Sequence, residues 1–167
     1  MKRTSILLIV CWILSSGLAV ADDTADDTVT KLRCGNTSIT IYNSNVIESP
    51  FFVVSIFHSY GSSHYPFRVD NDFFKVRCEK SKDGKEFLLI DNVCGGSGCG
   101  DYNYALIDLH TGKEVLKPAS YPGRNASKAE SILGKKIKPF SCSKYSEGSS
   151  TPNDKGEYCF VSPLELD

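Results

Sequence analysis

The 167-residue sequence predicts a mainly β protein: an antiparallel meander, built as a sandwich or a curved single sheet, with one short helix and disulfide staples. Three observations predict it. Short apolar runs alternate with polar residues at the period of a strand. Glycine-bearing turn signals at Asp83-Gly84 and Gly112 separate consecutive runs. Six cysteines remain once an N-terminal leader is set aside.

Ile39-Thr40-Ile41-Tyr42 alternates as a half-buried strand does, and Phe51 to Phe57 is the β-branched and aromatic run of a buried one. Ser59 to Pro66 has the chemistry of a loop. Phe73 to Cys78 and Glu86 to Ile90 form a hairpin across Ser81-Lys82-Asp83-Gly84, where Asp-Gly favours a tight reversal. Tyr102 to Leu109, His110-Thr111-Gly112-Lys113 and Glu114-Val115-Leu116 make a second hairpin, with Gly112 in the left-handed position. Ser127-Lys128-Ala129-Glu130 has capping-box spacing, followed by Ile132, Leu133 and a stop at Gly134, which predicts one short helix. Ile137 to Cys142 and Tyr158 to Val161 are expected to pair as an outer hairpin around a polar loop, Ser143 to Gly156.

Met1-Lys2-Arg3, an uncharged apolar stretch from Ile6 to Leu14, and the small-residue site Ala19-Val20-Ala21 read as a cleavable signal peptide over residues 1–21. The run from Ile6 to Ala21 is shorter than the roughly 20 residues needed to span a bilayer. Cys11 sits inside the apolar region, not after a lipobox. The expectation is therefore export to an oxidising compartment such as the periplasm, with no membrane attachment after cleavage. Residues 22–33 begin D-D-T-A-D-D-T-V-T-K, acidic and poor in large apolar groups, and are expected to be a flexible tail. Residues 34–167 then form a single β-rich domain. Cys34, Cys78, Cys94, Cys99, Cys142 and Cys159 are an even set, read as three disulfides. Fifteen pairings are possible. Chain geometry favours Cys94–Cys99 as a local loop, Cys142–Cys159 as a hairpin clasp and Cys34–Cys78 as the tie from the N-terminus to the middle of the sheet.

Several function classes are disfavoured. Losing Lys2 and Arg3 with the leader leaves 17 basic against 20 acidic residues, a charge of −3, unlike the concentrated basic face of a nucleic-acid ligand. Lys135, Lys136 and Lys138 form a basic cluster read as a solvated flank of the helix end. His58 and His64 bracket a serine-rich loop without a third ligand pattern, and His110 sits in a turn, so no metal site is expected. Gly95-Gly96-Ser97-Gly98-Cys99-Gly100 fails as a nucleophile elbow, because Cys99 stands where the second glycine belongs. It fails as a dinucleotide fingerprint because Asp101 replaces the last glycine. Neither catalytic residues nor a cofactor are expected.

What remains is a Cys-x4-Cys loop: Cys94, Gly95, Gly96, Ser97, Gly98 and Cys99, followed by Asp101 and Tyr102. Four small residues between bridged cysteines present peptide N–H groups and one hydroxyl on a narrow, pre-ordered projection that enters a cleft at low entropic cost. The rival reading is a tight turn whose glycines serve geometry alone. In size, export and this loop the chain resembles exported bacterial inhibitors of cell-wall hydrolases. It is similar to inhibitors of vertebrate-type lysozyme, which use a cysteine-clasped loop of four residues as a wedge. The spacing matches at Cys94 and Cys99, but the interior is Gly95, Gly96, Ser97 and Gly98 where that family carries charged and imidazole groups. It also resembles periplasmic immunity proteins against type VI secreted peptidoglycan amidases, in which a small-residue loop plugs the catalytic groove. This resemblance implies a protein partner, a cell-wall amidase in preference to a lysozyme, with Ser97 near its catalytic pair. A second expectation is an exported module without an enzyme target, binding carbohydrate or peptide through Tyr60, Tyr65, Phe67, Tyr102 and Tyr104. Asn36-Thr37-Ser38 and Asn125-Ala126-Ser127 are glycosylation acceptors in a host with that machinery, and an exposed strand edge offers a route to a homodimer.

Overall fold

The computed structural model describes residues 28–44, 51–68, 72–94, 102–120, 124–141 and 152–161. Among these residues, nine strands and one helix follow in order: β1 (Thr28–Cys34), β2 (Thr37–Ser44), β3 (Phe51–His58), β4 (Gly61–Arg68), β5 (Asp72–Lys80), β6 (Glu86–Cys94), β7 (Tyr104–Asp108), β8 (Lys113–Leu116), α1 (Ala126–Leu133) and β9 (Glu157–Val161). They make two wholly antiparallel sheets, one ordered β1-β2-β3-β4 and the other β8-β7-β6-β5-β9. The fold is thus mainly β with one short helix, and the meander is divided between two layers.

Strand alternation builds the core. Ile39 and Ile41 of β2 and Phe52, Val54 and Ile56 of β3 face Phe74 and Val76 of β5 and Leu88 and Ile90 of β6. The sheets close on an aromatic cluster: Phe52 stacks on Phe74 with ring centroids 4.6 Å apart, and Phe67 and Phe160 pack beside them. The Cys34–Cys78 disulfide ties β1 to β5 and so joins the two sheets. Cys159 is disulfide-bonded as well; its expected partner Cys142, and Cys99, lie outside the described residues.

The second sheet also buries part of its other face. Phe87 and Leu89 of β6, Tyr104 and Leu106 of β7 and Leu116 of β8 pack against Ala129 and Leu133 of α1, giving a third layer. Beyond α1, toward β9, this face carries buried Arg77 and Glu157 instead, with Phe140 of the 134–141 segment over the guanidinium. The outer face of the first sheet is not covered by any described element.

Four expectations need correction. Thr28 to Arg33, assigned to the flexible tail, belong to β1: Thr30, Leu32 and Cys34 are buried, and each residue from Thr28 to Cys34 pairs with β2. The threonine-rich composition that suggested a tail also suits a strand; residues 1–27, including the expected signal peptide, lie outside the described residues. Ser59 to Pro66 is largely strand, since β4 spans Gly61–Arg68. Its small polar residues Ser62 and His64 face outward while Tyr65 and Phe67 turn inward, and Pro66 is tolerated because β4 is an edge. Ile137 to Ser141 forms no strand, and β9 pairs with β5 rather than with that segment. The capping box is not made either. Asn125 is the N-cap, its side chain bonds elsewhere, and Glu130 reaches forward to the Ile137 N–H at 3.1 Å and the Lys136 ammonium at 2.8 Å. Gly134 does end the helix in the left-handed conformation, φ 66°.

Candidate partner-binding site

The Cys-x4-Cys loop joins β6 to β7. Cys94 is the last residue of β6 and pairs with Asp72, the first of β5. Gly95, Gly96, Ser97, Gly98, Cys99 and Asp101 lie outside the described residues, and the described part of the site is its two stems. The outgoing stem stands on the core: Phe74, two residues from the Asp72–Cys94 rung, is the ring on which Phe52, Phe67 and Phe160 converge.

The returning stem is Tyr102-Asn103-Tyr104. Tyr102 is 38% exposed, takes φ 85° and meets Tyr104 edge-on at 6.4 Å. A non-glycine residue there costs conformational energy, so the surroundings must hold it. Two asparagines do so. The buried Asn125 donates from Nδ2 to the carbonyls of Tyr104 (2.7 Å) and Lys117 (2.9 Å), and its Oδ1 accepts the Tyr104 N–H at 2.7 Å. Its own N–H donates to the Tyr102 carbonyl at 3.3 Å. Asn103 makes a reciprocal pair with Ala119, accepting its N–H at 2.7 Å and donating to its carbonyl at 3.0 Å. The returning limb is therefore fastened to the β8–α1 connection on both sides.

Asn125 and Asn103 are supports of the candidate site that sequence reasoning missed. The one sequence signal at Asn125 was the acceptor triplet, and the structure removes that use: the carboxamide is buried and all its described bonds are internal. Asn36, exposed in the β1–β2 turn, remains accessible.

The other candidates disperse. Phe67 and Tyr104 are core residues, and Tyr65 is half-buried with its hydroxyl donating to the Gly112 carbonyl, so the five aromatics do not form one surface. His58 and His64 stand on opposite sides of the first sheet. His64 bonds Ser55 (2.8 Å) and Ser62 (3.3 Å) on the outer face, while His58 meets Ser63 and packs against Gly112 of the second sheet. Among the described residues no three histidines, cysteines or carboxylates are grouped to hold a metal ion. At the end of the sandwich remote from Cys94 and Tyr102, the four hairpin turns frame an open cleft of about 510 Å³, lined by Asn36, His58, Lys85, Glu86 and His110. Among the described residues no helix is long and apolar enough to cross a membrane. No protein-family model, curated protein or solved structure matches this chain significantly.

Proposed function

We propose that this is an exported, disulfide-stapled protein that binds and inhibits a peptidoglycan-degrading enzyme in the periplasm, a cell-wall amidase in preference to a lysozyme, with the Cys94–Cys99 loop as the plug. The observation that carries this reading is the doubly fastened stem: Tyr102 to Tyr104 held by Asn125 and Asn103, opposite a β6 end seated on the aromatic cluster. Seven small or polar residues intervene between Cys94 and Tyr102. A loop on rigid supports loses little freedom on insertion, which is what an inhibitor needs and an ordinary surface turn does not. The disulfide between Cys34 and Cys78 fits export, because such bonds persist outside the reducing cytosol.

The test is a titration of the purified protein against peptidoglycan amidases and lysozymes. Wild-type protein should inhibit an amidase stoichiometrically. Ser97→Trp should abolish inhibition by filling the groove with bulk, and Cys94→Ser/Cys99→Ser should weaken it. Inhibition untouched by either variant would remove the loop from the mechanism. An alternative reading, an exported module without an enzyme target, draws on the outer face of the first sheet, which no described element covers and where Phe57 is 48% exposed beside His64. Binding of isolated glycan strands that fails in Phe57→Ala, with no enzyme inhibited, would favour it.

A further inference from the structure

Beside the apolar layer under α1, the second sheet carries a cleft of about 600 Å³, lined by Arg77 and Glu79 of β5, Lys135, Lys136 and Lys138 beyond α1, and Lys155 and Glu157 at the start of β9. Five cations against two carboxylates leave this wall at a formal +3. The chemistry depends on which of these charges are already used.

Arg77 is fully committed. It is buried, with Nε donating to Glu79 Oε1 at 2.9 Å, one terminal nitrogen to Glu157 Oε1 at 3.0 Å and the other to the Lys138 carbonyl at 2.7 Å. Lys135 takes the other oxygen of Glu79 at 2.7 Å, and Lys136 turns away to Glu130 at 2.8 Å. Both carboxylates of the cleft are thereby neutralised. Lys138 and Lys155 have no side-chain partner among the described residues, and both line the cleft, one from the 134–141 segment and one from the turn before β9.

The backbone at both lysines is set by the buried Arg77–Glu157 pair. Glu157 Oε2 accepts from the Ser141 N–H (2.8 Å), the Ser141 hydroxyl (2.7 Å) and Asn153 Nδ2 (3.0 Å). Asn153 Oδ1 in turn accepts the N–H groups of Lys155 (2.9 Å) and Glu157 (3.0 Å). Arg77 holds the backbone of Lys138, and Glu157 through Asn153 holds that of Lys155. A buried ion pair contributes little net stability relative to apolar packing, but it fixes positions. Here it fixes the backbone of two lysines that line one open cleft.

We propose that this cleft is an anion site for a phosphate group, with Lys138 and Lys155 as the two cations that receive it. A phosphate near neutral pH carries close to two negative charges, matching two lysines, and the ammonium of lysine binds phosphate as a point charge without the planar fork a carboxylate favours. The phosphate is either free in solution or displayed on a lipid headgroup, and the site lies apart from Cys94 and Tyr102, the stems of the proposed plug, and does not depend on that proposal.

The experiment uses the exported chain, with inorganic phosphate in one arm and vesicles containing phosphatidic acid in the other. Amide signals of Lys138, Ser141, Lys155 and Gly156 should move saturably in at least one arm, with affinity falling as salt is raised. Lys138→Ala and Lys155→Ala should each weaken binding roughly tenfold or more, the loss expected for one charged hydrogen bond. Lys113→Ala, an exposed lysine on β8, should not. Saturable binding lost in the double variant supports the site and identifies the source of the phosphate. No saturation in either arm, or saturation indifferent to both substitutions while the variants stay folded, overturns it.

Discussion

The outer face of the second sheet is built in two ways within about 20 Å. Toward β8 it presents Phe87, Leu89, Tyr104, Leu106 and Leu116, and a regular helix lays Ala129 and Leu133 on them. Toward β9 it presents Arg77, Glu79 and Glu157, and an irregular segment, 134–141, is bound to them by directional bonds. The strand alternation is the same in both halves. The apolar half rewards any cover that excludes water, and an amphipathic turn of helix is sufficient. The ionic half rewards only a cover whose N–H and carbonyl groups meet the buried charges at bonding distance, so it determines where Lys138 and Lys155 stand. One half supplies stability and the other supplies position.

Breaking the ionic half at one partner should have the largest effect. Arg77→Met strands Glu157 among buried groups, and the expected loss is about 3–5 kcal/mol in urea unfolding. Adding Glu157→Leu should recover most of that loss, because Glu79 keeps Lys135 and no buried charge is left alone. In the apolar half, Leu89→Ala should cost about 2–5 kcal/mol by leaving a cavity, with no partner substitution able to restore it by removing a charge. If the Arg77→Met loss persisted in the double variant, the ionic half would be supplying stability after all, and the division between the halves would fail.

The halves also differ in how legible they were. Strands β2, β3, β5, β6, β7 and β8 and the turns at Gly84 and Gly112 follow from local alternation and turn chemistry, which act over a few residues. The helix end at Gly134 is equally local. The ionic half depends on residues far apart: Arg77 meets Glu157 across 80 positions, and nothing in either neighbourhood announces the other. Ile137 to Ser141 reads as a strand because Ile137 and Phe140 are apolar, yet these two pack onto the apolar cluster beside α1, with Phe140 also over Arg77 of β5, while the backbone bonds side chains. β4 was hidden for a different reason. Its serines, histidine and proline resemble a loop, and only its place at a sheet edge makes them acceptable. Of the candidate site, the Cys94–Cys99 spacing was visible at once, whereas its support by Asn103 and Asn125 was not, because an asparagine that props a distant backbone looks like any turn residue.

A pH titration sharpens the same contrast. Burial pushes the Glu157 carboxyl up, but hydrogen bonds from Asn153, Ser141 and Arg77 outweigh it and hold the group below its ordinary value of 4.5. A carboxyl lowered in the folded state contributes stability above its unfolded value, and that contribution is lost as pH falls through the folded one. Stability measured from neutrality down to about pH 3 should therefore decline. The decline should be shallower in Glu157→Gln, which starts less stable at neutral pH. Leu89→Ala should lower the curve without changing its slope, since no titrating group is removed. An unaltered slope in Glu157→Gln would assign the acid sensitivity to other carboxylates.

The smallest expected effect lies at the joint between the halves. Glu130 leaves the last turns of α1 and accepts from the Ile137 N–H and the Lys136 ammonium, so it links the helical cover to the irregular one. The Lys136 partner, together with the Ile137 N–H, holds its carboxyl below the usual range. Lys136 is almost completely exposed and Glu130 partly so, and an ion pair with one partner in solvent is largely screened. Glu130→Gln keeps a carbonyl acceptor for Ile137 while removing the charge, so the unfolding midpoint should not move measurably. Glu130→Ala removes the acceptor as well. Its effect should appear as faster amide exchange at Ile137 and Lys138, with exchange at Leu89 and Leu106 unchanged, because the joint positions the ionic cover and leaves the apolar one seated. Faster exchange in both halves would instead make the two covers a single cooperative unit, and Lys138 would then owe its place to α1 as much as to Arg77.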